Sequence, residues 1–169
     1  MAEMDGVVSI RSFELLVQWL YLGRVIFGRL TPKETITAAI EFVRFADMCG
    51  VTDMETLMAE RIKAIIIANP DSNPRKPDTN TQYLTSKHII SVASLPKEHP
   101  VRSLLAAAAV EGYLRDDNHK FLKETQEVPS FSVDLIKAVK ATLKSITTDY
   151  DCIIVKDPVT GEDVYLTDP

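Results

Sequence analysis

The run Thr31-Pro32-Lys33-Glu34 constrains this chain more tightly than any other four residues. A threonine able to accept from the first free N–H groups, a proline where its missing N–H is no loss, and a glutamate placed to bond back together complete a helix start. Helical periodicity follows at once. Ile36, Ala39, Ile40, Val43 and Ala46 form one inner stripe, with Phe42 and Phe45 to either side, running to about Cys49 before Gly50. A second box of the same kind is expected at Thr52-Asp53-Met54-Glu55, opening a helix through Leu57, Met58, Ile62, Ile65 and Ile66 to Asn69-Pro70. Two capped helices joined by so few residues should pack as an antiparallel or steeply crossed pair.

The same reading extends in both directions. An earlier helix is predicted over 12–22, with Ser12 as its N-cap and Gly23 as its stop. Phe13, Leu16, Val17 and Leu20 recur at helical spacing, and Leu15, Trp19 and Leu22 widen the face, so burial on more than one side is expected. Gly23 to Gly28 reads as a short extended connector. Residues 69–82 are rich in Pro, Asn and Asp and read as an exposed flexible loop. Helices resume from Thr85 to before Pro96, and from Pro100 to about Leu114 with Val101, Leu104, Leu105 and Ala108 inward. A polar stretch over 116–123 holds a short helix with Phe121 and Leu122, and a last long helix is predicted over 133–146, with Ile136, Val139, Leu143 and Ile146 at helical spacing. Beyond it, Cys152-Ile153-Ile154-Val155 and Val164-Tyr165-Leu166 flank Asp157-Pro158-Val159-Thr160-Gly161, a β-hairpin signal. The expected fold class is therefore mainly α: a multi-helix array over 1–149, and a C-terminal hairpin tail over 150–169 that packs on the helices or on another chain.

Composition narrows the function classes. The 169 residues are 46% hydrophobic and 25% charged, as in one ordinary globular domain, and the net charge of -5 argues against coating nucleic acid. Two cysteines, Cys49 and Cys152, cannot build a disulfide framework; Cys49 reads as core filler, and Cys152 as buried structure or a redox handle. Without a signal-peptide pattern or an apolar run of about 18 residues, an intracellular place, cytoplasmic or nuclear, with no membrane partner, is expected. Gly23 and Gly28 have phosphate-loop spacing, but Arg29-Leu30 stands where Lys-Ser/Thr belongs. His88 and His99 sit at helix boundaries, and Asp116-Asp117-Asn118-His119 is more readily a loop or cap than a metal site. No catalytic group, cofactor or metal is expected. Trp19 and Tyr21 read as core or as anchors for a partner.

The run Phe13-Glu14-Leu15-Leu16-Val17-Gln18-Trp19-Leu20-Tyr21-Leu22-Gly23-Arg24-Val25 resembles the Trp-Leu-Tyr-x-Gly segment of BTB/POZ domains, especially of filamentous-fungal proteins. The similarity continues through 39–51, with its Ala46-Asp47, and through His99-Pro100-Val101-Arg102-Ser103-Leu104-Leu105, which looks like the helical extension after a fungal BTB core. The resemblance covers about 12–146. It implies a non-enzymatic protein-interaction scaffold or adaptor, in oligomerisation or in ubiquitin-ligase substrate recruitment, whose partner is itself or a cullin-type scaffold. The strand-helix-strand half that opens a complete BTB domain finds only eleven residues before the helix, so the usual dimer surface and cullin groove are expected to be incomplete. Partner contacts are then expected at Trp19, Tyr21, Val25 and Phe27. Exchange of the tail hairpin between copies is one way to cover that face. The alternative reading is a small-ligand binder or enzyme with a site between helices, around Asp116, Asp117 and His119. A nucleic-acid-binding helical domain is the least favoured by the charge.

Overall fold

Ser9, rather than Ser12, caps the first helix. In the computed structural model, which describes residues 9–71, 78–149 and 152–166, α1 spans Ile10–Leu22; the Ser9 hydroxyl accepts from Ser12 N–H, and the Ser12 hydroxyl accepts from Ser9 N–H. Ser12 is thus the partner inside a capping box whose true N-cap lies three residues earlier. Gly23 ends the helix at φ 62, its N–H donating to the Trp19 carbonyl at 2.9 Å.

The orientation of α1 also departs from the expected stripe. Ser12, Leu15 and Leu16 are buried, whereas Phe13, Leu20 and Leu22 are exposed. Its main neighbour is α2, Pro32–Met48, and with one helix on one side, burial on several sides does not occur. α2 itself forms as its sequence requires: Thr31 and Glu34 close the capping box, and Ile36, Ala39, Ile40, Phe42, Val43 and Ala46 are buried. Hydrogen bonds from the Thr31 backbone and hydroxyl hold the exposed Glu34 carboxyl below its usual range. Cys49 follows as C-cap and faces solvent, so it is not core filler.

The second capping box does not form. Helix α3 is Glu55–Ala68 with Met54 at the N-cap and no side-chain cap, because Asp53 turns the chain at φ 77 and Met54 is driven into the core. Apolar burial wins here over a capping bond worth about 1 kcal/mol. Thr85 does cap α4, Ser86–Val92, and His99 caps α5, Pro100–Ala108, its Nδ1 accepting from Val101 N–H at 3.2 Å. The single helix expected over 100–114 breaks at Ala109. A second piece, α6 at Val110–Arg115, turns the buried Glu111 and Gly112 toward residues 78–79. Phe121, fully buried, precedes α7, Leu122–Glu127, and meets Phe131 edge-on at 6.2 Å.

The last helix, α8, is Pro129–Thr142, followed by a 3-10 turn at Leu143–Ser145. Its inward face is Phe131, Asp134, Leu135 and Thr142, while Ile136, Leu143 and Ile146 of the expected stripe are exposed. Arg102 explains the rotation. Buried on α5, its Nε donates to Asp134 Oδ2, and its other nitrogens to the carbonyls of Leu95 at 3.0 Å and Ser130 at 3.3 Å. A buried guanidinium needs its carboxylate inside the fold, so α8 turns Asp134 inward and gives up burial of Ile136.

Three antiparallel strands close the chain in the order β1-β2-β3: β1 Thr147–Asp149, β2 Cys152–Lys156 and β3 Asp163–Tyr165. The hairpin is β2-β3, with Val155 opposite Val164; β1, unforeseen, pairs Thr147 with Ile154. The tail packs on its own chain: Val159 enters the helical core, Cys152 is buried, and Asn80 Nδ2 donates to Asp157 Oδ2 at 2.7 Å. The loop is therefore partly held, with Asn80 and Thr81 buried and Asp71 N–H closing its neck on the Thr79 carbonyl at 3.0 Å; 72–77 lie outside the described residues. The fold is mainly helical with one small C-terminal sheet. Among the described residues no helix is long and apolar enough to cross a membrane.

Arg102→Met alone strands the buried Asp134 carboxylate and is expected to cost about 3 kcal/mol in urea unfolding, whereas Arg102→Met with Asp134→Leu is expected to recover most of that loss. Equal losses in the single and double variants would show that the pair does not set this packing.

Candidate functional site

Trp19, Tyr21, Val25 and Phe27 fall on α1 and the connector behind it, but in different environments. Tyr21 is 84% exposed. Trp19, Val25 and Phe27 are half-buried and pack on the helical core. Tyr21 is thus free to touch a partner, and Trp19 carries packing as well. The connector is held to the helix by Gln18, whose Oε1 accepts from Ile26 N–H at 2.9 Å.

Around Tyr21 lies a larger apolar surface. Ile10, Phe13, Leu20 at 61%, Leu22 and Ile26 are all exposed. Sequence reasoning placed Phe13 and Leu20 inside, because helical spacing alone does not say which side of a wide apolar helix meets the core. Serine at position 12 was the available signal: it lies on the inward face beside Leu15 and Leu16, where a small side chain lets α2 approach. The tail sheet does not cover α1, and no main contact links the two.

Beside the connector is a groove of about 450 Å³ between residues 24–28 and α3, floored by Val25, Phe27, Leu57 and Met58 and bordered by Arg24 and Arg61. Exposed Leu57 leaves the groove open on its outer side.

The alternative site also has a shape. Asp116 and His119 line a cavity of about 320 Å³ with Asp71, Asp78, Thr81, Gly112 and Lys120, whereas Asp117 is exposed and takes no part. Burial raises the Asp78 carboxyl to about 6, against a hydrogen bond from Thr81 and the charge of Lys120, with Glu111 and Asp157 raising it further. Gly112 makes room for that carboxylate: a Cβ there would stand 2.7 Å from Asp78 Oδ2. The histidines serve packing. His119 stacks edge-on with Tyr113 at 5.3 Å and its Nε2 lies 3.3 Å from Thr125 Oγ1. His88 is buried with its Nε2 at 2.8 Å from Thr37 Oγ1, and burial, with nearby lysines, lowers it to about 4. Among the described residues, no three His, Cys, Asp or Glu side chains are arranged to hold a metal ion.

Compared with protein-family models, curated proteins and solved structures, the chain matches none.

Asp78 and His88 push the pH dependence of folding in opposite directions. Asp78 binds its proton more tightly when folded, at about 6, than an ordinary aspartate at 3.8, so its burial costs stability above pH 6 and nothing below about pH 4. His88, lowered from 6.5 to about 4, costs stability below pH 4 and nothing above about 6.5. Asp78→Asn is expected to raise the melting temperature at pH 7.5 relative to the parent, with the difference vanishing near pH 4. An equal difference at both values would show that the Asp78 proton is not coupled to folding.

Proposed function

We propose that this chain is a non-enzymatic protein-interaction module, a scaffold or adaptor that engages its partner through the outer face of α1 and the connector at 23–30. One observation supports the reading above all: Phe13, Leu20 and Tyr21 on a helix capped at both ends, and Ile26 on the connector behind it, are exposed. Exposed apolar side chains gathered on one rigid helix are a usual mark of a protein contact. The BTB/POZ resemblance points the same way, since it implies a protein-interaction module and α1 carries its Trp-Leu-Tyr-x-Gly segment. The first partner under this reading is a second copy of the chain. Recruitment to a cullin-type scaffold is the same role with a foreign partner, and both belong inside the cell, in cytoplasm or nucleus. Exchange of the tail hairpin plays no part in this reading, because the tail is packed on its own chain.

The cavity of Asp78, Asp116 and His119 favours a small-ligand reading on one ground, its enclosed carboxylate. It ranks second because the Asp116 and His119 side chains are engaged, with Asn118 N–H and with Tyr113 and Thr125.

Light scattering on a size-exclusion column, over a concentration series, tests the first reading. The intact chain is expected above monomer mass at high concentration, and Leu20→Glu with Tyr21→Glu at monomer mass with an unchanged melting temperature. Trp19→Ala, by contrast, is expected to lower stability by about 2 kcal/mol through lost packing. A strict monomer for the intact chain throughout would remove self-association.

A further inference from the structure

The groove beside the connector carries features that the outer face of α1 lacks. Its floor is apolar, but its border is two arginines, and no carboxylate is among its lining residues. Arg24 and Arg61 are exposed, and among the described residues neither makes an ion pair or side-chain hydrogen bond. On a chain of net charge -5 this is a local excess of the opposite sign. A guanidinium presents a planar fork that matches a carboxylate with two parallel hydrogen bonds. The connector adds a third feature. Among the described residues no backbone–backbone hydrogen bond involves residues 24–30, and Ile26 N–H is held by the Gln18 side chain instead. Backbone groups left unpaired in this way can bond an incoming extended peptide, main chain to main chain.

We infer that the groove between residues 24–28 and α3 binds an extended acidic segment of a partner protein, seating an apolar side chain between Val25, Phe27, Leu57 and Met58 and carboxylates on Arg24 and Arg61. This rests on the interaction-module reading and supplies the partner's chemistry. Nucleic acid is a poorer match, because two arginines on an acidic chain neutralise too few phosphates and the floor of the groove is apolar rather than basic. A free carboxylate metabolite would use the arginines but leave the apolar floor unfilled.

The test is retention of the full chain on an array of immobilised peptides that alternate glutamate or aspartate with leucine or phenylalanine, beside the same peptides with lysine for every acid. The acidic set is expected to retain the chain and the lysine set to fail. Arg24→Glu with Arg61→Glu is expected to weaken retention about tenfold or more, and added salt to weaken it in the parent. Both arginines are exposed, so the melting temperature of this variant is expected to stay at that of the parent; Leu57→Ser, which shortens the apolar floor without changing the charge of the groove, is expected to weaken retention as well. Leu20→Glu with Tyr21→Glu is expected to leave peptide retention intact, which separates failure of the groove from failure of the α1 surface. Equal retention on both sets, no retention, or retention unchanged by the arginine variant overturns the inference. So does a variant that alters the mass of the intact chain while peptides fail to bind, which would give the groove to a second copy.

Discussion

The ion pair between Arg102 and Asp134 sets more of this structure than its size suggests. Arg102 lies deep on α5, where its guanidinium also bonds the carbonyls of Leu95 and Ser130. A charge in that position has no route back to water, so its carboxylate must come to it. α8 obliges by turning Asp134 inward, and that one turn settles which of its apolar residues reach the core. Leu135 and Phe131 go in; Ile136, 59% exposed, stays out. Phe131 then meets Phe121 edge-on, which brings α7 against the same region. The exposed apolar residues of α8 are therefore a consequence of a buried polar pair.

A second set of polar contacts joins the loop to the tail. Glu111 Oε2 accepts from Thr79 N–H at 2.9 Å and from its hydroxyl at 2.7 Å, while Oε1 takes Arg115 at 3.0 Å. Asp157 accepts from Asn80 on one oxygen and from Val159 and Thr160 N–H on the other. Every oxygen of the two carboxylates has a hydrogen-bond partner, so these groups act as struts between the loop, α6 and the tail. Their cost falls on Asp78, crowded by Glu111 and Asp157 and raised by burial, at the one position where Gly112 leaves space for it. The bond from Asn80 to Asp157 ties the described part of the tail to the loop of its own chain.

Among the described residues, exposed apolar side chains also lie on α1, the connector and the first half of α3. The two surfaces there differ in kind. The outer side of α1 carries exposed apolar side chains beside Arg11 and Glu14, suited to broad contact; the groove beside it combines an apolar floor with guanidinium groups that have no ion-pair partner among the described residues and with unpaired backbone, suited to one direction of chain.

Local signals were legible wherever one interaction decided the outcome. The Thr31-Pro32-Lys33-Glu34 start, the inner stripe of α2, the helix starts at Thr85 and His99 and the hairpin turn at Asp157 to Gly161 all depend on neighbours within a few residues, so the sequence alone determined them, and with them the mainly helical class. The N-cap of α1, the failed box before α3 and the break at Ala109 were not legible, because in each a local bond competes with burial of a side chain against a distant element. The candidate site divides the same way. Tyr21 and Val25 could be picked out as part of an aromatic, apolar run, but which of that run faces water was decided only by packing. An amphipathic pattern states that a helix has an apolar side; where several sides are apolar, only the partner that arrives, α2 for α1 and Arg102 for α8, chooses among them.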